Sequence, residues 1–519
     1  MDYNQPSLIV KDLSFGQDAS DKIMKGVGKL ARAVQSTLGA SGKCVIYEDA
    51  TGKPVITKDG VTVSESVILH DPVENIGATL MKEAAKNTVK EAGDGTTTAT
   101  VLAYNLLVEA KKELQHATLR EVKHGLESGY RKVVKYIDSI KRDVTDAKLL
   151  NVATISTNND HVLGKVIADA YLRVGKNGVV LMEESNSEET YFEVVDGVQF
   201  DSGLKSQHLA TNEDKDKAEL ENPFVLIVAS PIPNIRKIQA VLEHVIKEKR
   251  SLLIVASVDQ QPYAALLTNK VKGNIKVNIV DVPGFGSTKR DTIEDLALLT
   301  GATIIDEELG DDLDLIQPNV LGTALKSVTD NKNTVLTIES VPDDAKTRIE
   351  AVENKIEQEQ NPFIKRKLEQ RLAMLSGSVA IIKVGANSQV ELKEKKDRVE
   401  DAIYATKAAL QDGIVPGGGV ALLDASNRLK AANAGEKVLL DAIKAPFRII
   451  LENAGIETLD IKSLPGKGID VTTGKVVNMI KAGVIDPALV TKTALKNAIS
   501  VVTTIISADA VISNKRLEQ

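Results

Sequence analysis

Tryptophan is absent from this chain, cysteine occurs once, and aromatic residues make up only 3% of its 519 positions. A single cysteine, Cys44, excludes an intrachain disulfide and a cysteine-rich metal centre, which fits a reducing compartment; Cys44 itself reads as a small packed residue. With so few rings the core has to be built from Val, Ile, Leu and Ala, which suits a mixed α/β or α+β chain. Nowhere is there an apolar run of the roughly 18 residues that a membrane helix needs. The opening MDYNQPSLIVKDLSF also lacks a basic segment followed by an apolar one, so neither a span nor a leader is expected. Charge of one sign is missing too: 65 Lys and Arg are interspersed with 72 Asp and Glu, for a net charge of -7, without the basic stripe of a nucleic-acid-binding domain.

What is present is the profile of a globular protein, 43% hydrophobic and 26% charged, in a chain too long for one hydrophobic core. Two to four domains are expected. Apolar residues recur at helical spacing from Asp18 to Leu38 (Ile23, Val27, Leu30, Val34), with Gly39 as the stop. CVIYED and KPVITKDG read as two strands around a Thr51-Gly52 turn. Helices are expected over Pro72–Ala92 up to Gly93, from within GDGTTTAT to Leu114, and over Leu119–Ile140. The middle changes character. FVLIVAS (Phe224–Ser230), SLLIVASV (Ser251–Val258) and KVNIVDV (Lys276–Val282) are short apolar runs between helical stretches, as in buried parallel strands of an inserted βαβ-type domain. Ile349, Val352 and Ile356, then Ile364, Leu368, Leu372 and Leu375, predict a helical hairpin broken around Asn361-Pro362. From Glu400 onward the pattern reads as helical to the end.

The stretch most suggestive of chemistry is Gly93-Asp94-Gly95-Thr96-Thr97-Thr98-Ala99-Thr100. Glycines let backbone N–H groups approach an anion, a helix N-terminus offers free donors, and threonine hydroxyls add more, so this is a phosphate-binding design in which Asp94 could hold magnesium. The same letters also describe a Thr-capped helix after a glycine turn. No Walker A pattern occurs anywhere. Thr37-Leu38-Gly39-Ala40-Ser41-Gly42 sits at a helix end, and Thr57-Lys58-Asp59-Gly60-Val61-Thr62 is a turn with an acid at its tip, a pattern that ordinary Asp-Gly turns share. Asp401 lies on a helix whose charges could simply face solvent, and Pro416-Gly417-Gly418-Gly419 again invites close backbone approach to a ligand.

Together, TLGxxGK, TKDGVTV, GDGTTTAT, ATISTNND, VVDGVQFDSG, VPGFG, KEKKDRVEDA, PGGGVAL and NMIKAGVIDP resemble the group I chaperonins, the GroEL family, over nearly the whole chain. The resemblance implies a multidomain α/β protein. A mainly α-helical equatorial ATPase domain would take residues 1–140 and 411–519. A small α/β intermediate hinge domain would take 141–195 and 380–410, and an inserted α/β apical domain would take 196–379. It implies ATP and magnesium as ligands, with potassium as a further candidate. Thr37, Leu38 and Gly39 would touch nucleotide, Lys58 and Asp59 would lie beside the γ-phosphate, and Asp94 would bind the metal. Gly95, Thr96, Thr97 and Thr98 would cradle phosphates, and Gly418, Asp470, Val471 and Asp486 would complete the pocket. Asp401 would orient the attacking water with help from Asp59.

By the same resemblance, non-native polypeptides would bind apical positions that read here as Leu204, His208, Leu209, Gln239, Leu242, Tyr263, Leu267 and Thr268. This set is more polar than the family pattern. The partners implied are a homo-oligomeric ring, heptameric and single or double, and a co-chaperonin lid, with no nucleic acid and no membrane. The setting implied is the bacterial cytoplasm, or that of a phage's host. Several positions depart from the family. Ser202 and Gln389 stand where an intersubunit ion pair is usual, which implies weaker ATP cooperativity within a ring. Asp470-Val471 replaces Asn-Ala, and Leu459 and Asp460 differ although Arg448 and Glu457 remain. A holdase or scaffold of the same fold, without a productive cycle, is the alternative reading.

Overall fold

The computed structural model describes residues 11–49, 51–175, 178–185, 187–211, 217–283, 287–359, 364, 368, 371–372, 374–375, 378–457 and 465–514. The chain forms two compact units: Met1–Asp169 with Glu184–Thr190 and Val384–Gln519, and Ala170–Glu183 with Tyr191–Lys383. In chain order the first unit begins with β1 (Lys11–Phe15), α1 (Gly16–Gln35), β2 (Val45–Glu48), β3 (Pro54–Thr57), α2 (Gly60–Ser66), α3 (Pro72–Ala92), α4 (Thr96–Glu113), α5 (Leu119–Ile140), α6 (Asp146–Ser156) and α7 (His161–Val174). Then come β4 (Val179–Glu184), β5 (Tyr191–Phe200), β6 (Ala218–Glu221), β7 (Phe224–Val228), α8 (Gln239–Glu248), β8 (Leu252–Val255), α9 (Gln260–Val271), β9 (Val277–Val280) and α10 (Ser287–Thr300). They are followed by β10 (Ile304–Ile305), β11 (Gly322–Thr323), β12 (Lys326–Thr329), β13 (Thr334–Thr337), α11 (Asp343–Gln358) and β14 (Ser378–Val384). The chain returns through α12 (Gln389–Asp412), β15 (Ile414–Pro416), α13 (Val420–Arg428), α14 (Ala434–Ala442), α15 (Ala445–Asn453), β16 (Lys467–Asp470), β17 (Lys475–Asn478), α16 (Met479–Ala482), β18 (Ile485–Pro487), α17 (Ala488–Ile505) and β19 (Ala510–Asn514).

The first unit is a helical layer built on the periodic residues. Val27, Leu30 and Val34 of α1, Met81 of α3, Leu102 and Leu106 of α4, Leu126, Val133 and Ile137 of α5 and Leu495 and Val502 of α17 form one buried cluster. Local chemistry sets the helix ends. Asp71 accepts from the Val73 and Glu74 amides ahead of Pro72, and Thr118 and Glu121 close a capping box on α5. Helix α1 ends at Gln35, short of Gly39, because the Thr37 amide and hydroxyl both turn back to the Val34 carbonyl at 3.1 and 2.8 Å. β1 and β19 pair antiparallel from Lys11↔Asn514 to Phe15↔Ala510, joining segments far apart in sequence.

Glu436, in the first turn of α14, is almost wholly buried and accepts from Lys132 Nζ at 2.6 Å, Ser128 Oγ at 2.7 Å and the Ala432 amide at 2.8 Å. Burial alone would raise its carboxyl, but these donors, led by Lys132, hold it down to about 2. An acid depressed by folding adds stability above its unfolded value, near 4.5, and loses that contribution as pH falls toward 2. Glu436→Gln is therefore expected to cost about 1–3 kcal/mol at neutral pH. The Tm gap from wild type should narrow as melting is repeated toward pH 3, and a gap independent of pH would contradict the assignment.

In the second unit β7, β8 and β9 run parallel, as their apolar runs predict, within a five-stranded sheet ordered β10-β7-β8-β9 with antiparallel β11 also on β7. Both faces are covered, which is why these strands read as unbroken hydrophobic runs. Val225, Ile227, Leu253 and Val255 meet Leu296 of α10 and Val352 of α11, while Leu226, Ile254, Val277 and Ile279 meet Val241 of α8 and Leu266 of α9. A second sheet, ordered β4-β14-β5-β13-β12-β6, is not expected from the sequence. One buried face carries hydroxyls where alternation would place aliphatics: Ser327, Thr329 and Thr334 are all buried on it, and Asn278 Nδ2 donates to Thr329 Oγ1 at 2.8 Å.

The multidomain α/β expectation stands, and two finer readings are corrected. The region after Glu400 is not helical throughout, since β15 to β19 interrupt it with strands of three to five residues, too short to leave a period. Cys44 is exposed rather than packed, lying just before β2. Of the expected helical hairpin, α11 supplies the first arm, whereas the Asn361-Pro362 break and much of the second arm lie outside the described residues. Among the described residues no helix is long and apolar enough to cross a membrane.

Candidate functional site

Every candidate nucleotide residue belongs to the first unit. Gly93 ends α3 in the left-handed region at φ 77°, and Gly95 starts α4 at φ 96°. Gly95 has no side chain to cap the helix, and the first intrahelical bond is Ala99 N–H to the Gly95 carbonyl at 2.9 Å. The amides of Thr96, Thr97 and Thr98 therefore lie ahead of the ladder, at the positive end of an 18-residue helix. A Cβ on Gly95 would come within 2.7 Å of Val490, so only glycine fits this turn. An anion is the partner such an end lacks.

The Thr57–Thr62 turn packs against that loop. A Cβ on Gly60 would lie 2.2 Å from Thr97 Oγ1, so glycine allows the two segments to touch. Asp59 caps α2: its oxygens accept from the Val61 amide at 3.1 Å and from the Thr62 amide and hydroxyl at 2.7 Å each. Lys58 is half-buried and donates to Asn158 Oδ1 at 2.9 Å. One turn along α4 from Thr97, Leu38 packs with Val101, Ala445 and Ile449. Asn453 Nδ2 donates to the Gln35 and Leu38 carbonyls at 2.9 Å each, which pins the Thr37-Leu38-Gly39 turn. Nothing in the sequence around Asn453 signals that clamp.

Three further carboxylates, those of Asp59, Asp401 and Asp486, interact electrostatically with Asp94. Burial raises the Asp94 carboxyl above its usual range, opposed by the Gly95 amide and reinforced by the charge of Asp59. Asp401, on α12, is raised further, first by burial and then by Asp94 and Asp59. Asp486, on β18, is pushed up to about 7 by burial and by Asp94, although the Gly418 and Gly419 amides donate to it. Strand pairing of Val415 with Asp486 places the glycine run beside that acid. Asp470 turns inward on its own hairpin, accepting from the Thr472 amide and the Thr472 and Thr473 hydroxyls. Val471 packs with Val420, Phe447 and Met479, and Met479 also lies against Gly418.

A concentration of acids whose charged forms are disfavoured is poised for a cation. Among the described residues no three His, Cys, Asp or Glu side chains are arranged to hold a metal ion by themselves.

The second unit holds the candidate polypeptide-binding residues. Leu204, Leu242, Tyr263 and Leu267 are partly buried against one core cluster and present apolar edges. His208, Gln239 and Thr268 are exposed, with Gln239 Nε2 donating to Glu243 at 2.7 Å and Thr268 Oγ1 to the Ala264 carbonyl at 2.8 Å. Leu209 differs from the expectation of an exposed contact: its side chain is fully buried in that cluster, because the Gln207–Leu209 turn points it inward. Ser202 is buried, and its Oγ donates to the Asp281 carbonyl at 2.8 Å. Gln389 is exposed at the start of α12, and Leu459 and Asp460 lie outside the described residues.

The sequence pattern of the TCP-1/cpn60 chaperonin family matches residues 30–516. Among solved structures, the fold is similar to the chaperonin gp146 from bacteriophage EL 2 (Pseudomonas aeruginosa), crystallised in the presence of ATP-BeFx. One crystal form gives a TM-score of 0.73 at 20% identity, covering 97% of this chain and 99% of that one. A second crystal form gives 0.65 at 21% identity with the same coverage.

Proposed function

This chain belongs to the TCP-1/cpn60 chaperonin family, and from that premise we propose that it is an ATP-driven folding machine that binds non-native polypeptides and promotes their folding in a cavity with ATP hydrolysis. The observation that carries the reading is the uncapped N-terminus of α4, which follows directly on Asp94, a buried acid in electrostatic contact with Asp59, Asp401 and Asp486. In this proposal Gly95 to Thr98 receive phosphates and Lys58 neutralises the terminal one. Thr37 to Gly39 and Gly418, Asp470, Val471 and Asp486 surround the nucleotide. Asp94 would hold Mg2+, which when bound supplies charge neutralisation of the phosphates; potassium is a second candidate cation. Asp401 orients the attacking water and takes up its proton, since its raised carboxyl is a better proton acceptor than an ordinary aspartate. The crystallised relative, obtained with ATP-BeFx, supports nucleotide binding at such a fold.

The equatorial, intermediate and apical division, with its hinge residues, belongs to this proposal as well. So does a homo-oligomeric ring of about seven subunits, a number taken from the family resemblance. The ring draws support from two small sheets, β1-β19 and β2-β3, which leave Leu13, Phe15, Ile512, Ile46 and Ile56 exposed, a surface that a neighbouring copy would cover. Leu204, Leu242, Tyr263 and Leu267 form the proposed client contact, and the bacterial cytoplasm, or that of a phage's host, is the proposed setting.

Refolding of an aggregation-prone enzyme with Mg-ATP and no lid protein tests the reading, with wild type run beside Asp401→Ala. Recovery with wild type alone is expected. Protection from aggregation without recovery by either protein would favour a holdase that lacks a productive cycle.

A further inference from the structure

Residues Asn158 and Asn159 have φ values of 60° and 64°, two successive non-glycine residues in the left-handed region. Asparagine tolerates this region better than most residues, but a consecutive pair is a cost that the surroundings must impose. Here the imposing contacts are visible. The Asn158 amide donates to the Ile155 carbonyl at 3.0 Å and the Asn159 amide to the Thr154 carbonyl at 2.8 Å, closing the end of α6. Buried Thr157 directs its hydroxyl to the Ala153, Thr154 and Asp160 carbonyls, and Asp160 caps α7. The product of this turn is the placement of one side-chain acceptor: Asn158 Oδ1, which accepts from Lys58 Nζ at 2.9 Å, 100 positions away in sequence.

Lys58 needs such a partner. Burial, and after it the charge of Arg398, work against its ammonium, while Cys44 and Glu394 act in the opposite sense. The lysine precedes Asp59 and Gly60, which rest against Thr97 of the phosphate loop. An ammonium has three donors, so Lys58 can keep its bond to Asn158 and still offer N–H groups to a phosphate oxygen.

We propose that Asn158 is a positioning residue of the ATPase, holding the Lys58 ammonium in place to meet the terminal phosphate. The proposal rests on the reading of this site as an ATPase. It predicts a dependence on nucleotide length: ATP, which carries the terminal phosphate, feels the loss of Asn158, and ADP does not. The variant that isolates the amide is Asn158→Gly, because glycine accepts φ 60° without strain and leaves the turn intact.

The experiment measures ATP and ADP dissociation constants, kcat and KM for wild type, Asn158→Gly, Lys58→Met and the double variant, with thermal melting to establish folding. Loss of a hydrogen bond to a charged group is expected to lower kcat/KM for ATP about tenfold in Asn158→Gly. ADP affinity should stay within about twofold, and the double variant should be no worse than Lys58→Met alone. Wild-type kinetics in Asn158→Gly would show that the asparagine serves only the backbone turn. Full additivity with Lys58→Met, or equal losses for ATP and ADP, would equally overturn the proposal. No ATPase in wild type would instead sink the function itself, so the two failures are distinguishable.

Discussion

Asp401→Ala is expected to bind Mg-ATP with close to wild-type affinity and to hydrolyse it at least about a hundredfold more slowly, the range seen when a positioned acid–base group is removed. Asp59 and Asp401 are both candidates for the water-orienting role, but their surroundings differ. Both Asp59 oxygens are engaged at the start of α2, by the Val61 and Thr62 amides and the Thr62 hydroxyl. Asp401 has a carboxyl raised well above the ordinary range, by burial and by Asp94 and Asp59, which gives it proton affinity to use. Asp59→Ala should therefore combine a kinetic loss with a cap loss of about 1 kcal/mol, visible in thermal melting. Asp401→Ala should melt at or above the wild-type temperature, because it removes a desolvated acid from among others. Phosphate release and nucleotide binding measured side by side decide the matter. Near wild-type turnover in Asp401→Ala would remove that residue from the mechanism.

The largest stability effect is expected in the second unit, at Asp295. Its side chain is fully buried on α10 and receives Arg371 through Nε at 2.6 Å and Nη2 at 2.9 Å, with Arg348 Nε at 2.8 Å. Arg348 also reaches Glu294 at 2.6 Å, and Arg371 reaches Asp291 at 3.0 Å. Removing Asp295 leaves Arg371 with Asp291 and Arg348 with Glu294 as the remaining carboxylates, and breaking a buried ionic group in this way costs up to about 3–5 kcal/mol, whereas replacing the whole group by apolar residues of similar volume is often neutral. Asp295→Ala should therefore lower the urea midpoint of this unit strongly, and the triple replacement of Asp295, Arg348 and Arg371 by leucine should recover most of the loss. A cost for Asp295→Ala under about 1 kcal/mol would mean that the arginines find other partners.

Long periodic segments were legible in the sequence. Helices α3, α4 and α5 appear where they are expected, over Pro72–Ala92, from GDGTTTAT towards Leu114 and over Leu119–Ile140. The parallel strands β7, β8 and β9 were legible because burial on both faces leaves continuous apolar runs. The antiparallel sheet was not, since Ser327, Thr329 and Thr334 put hydroxyls on its buried face and erase the alternation. For the candidate site, the glycines and threonines of GDGTTTAT announce a helix start, and α4 begins there after Gly95. The neighbourhood of Asp94 with Asp401 and Asp486 could not be read, because it joins residues hundreds of positions apart and leaves no local spacing. Resemblance to a family supplied those positions. Asn158 lay in plain view within ATISTNND, yet only its backbone angle and its bond to Lys58 give it a part to play.

The pairing of β1 with β19, and the packing of α17 into the cluster formed by α1, α3, α4 and α5, also order events during synthesis. Residues 191–383 leave the ribosome as one continuous stretch and contain most of the second unit, whereas the first unit needs segments from before and after it. The inserted unit can thus close while translation continues. The apolar faces of α1 to α5 must wait, uncovered, for α17 to emerge, so a nascent chain stalled before Ala488 should itself be a client for chaperones already in the cell.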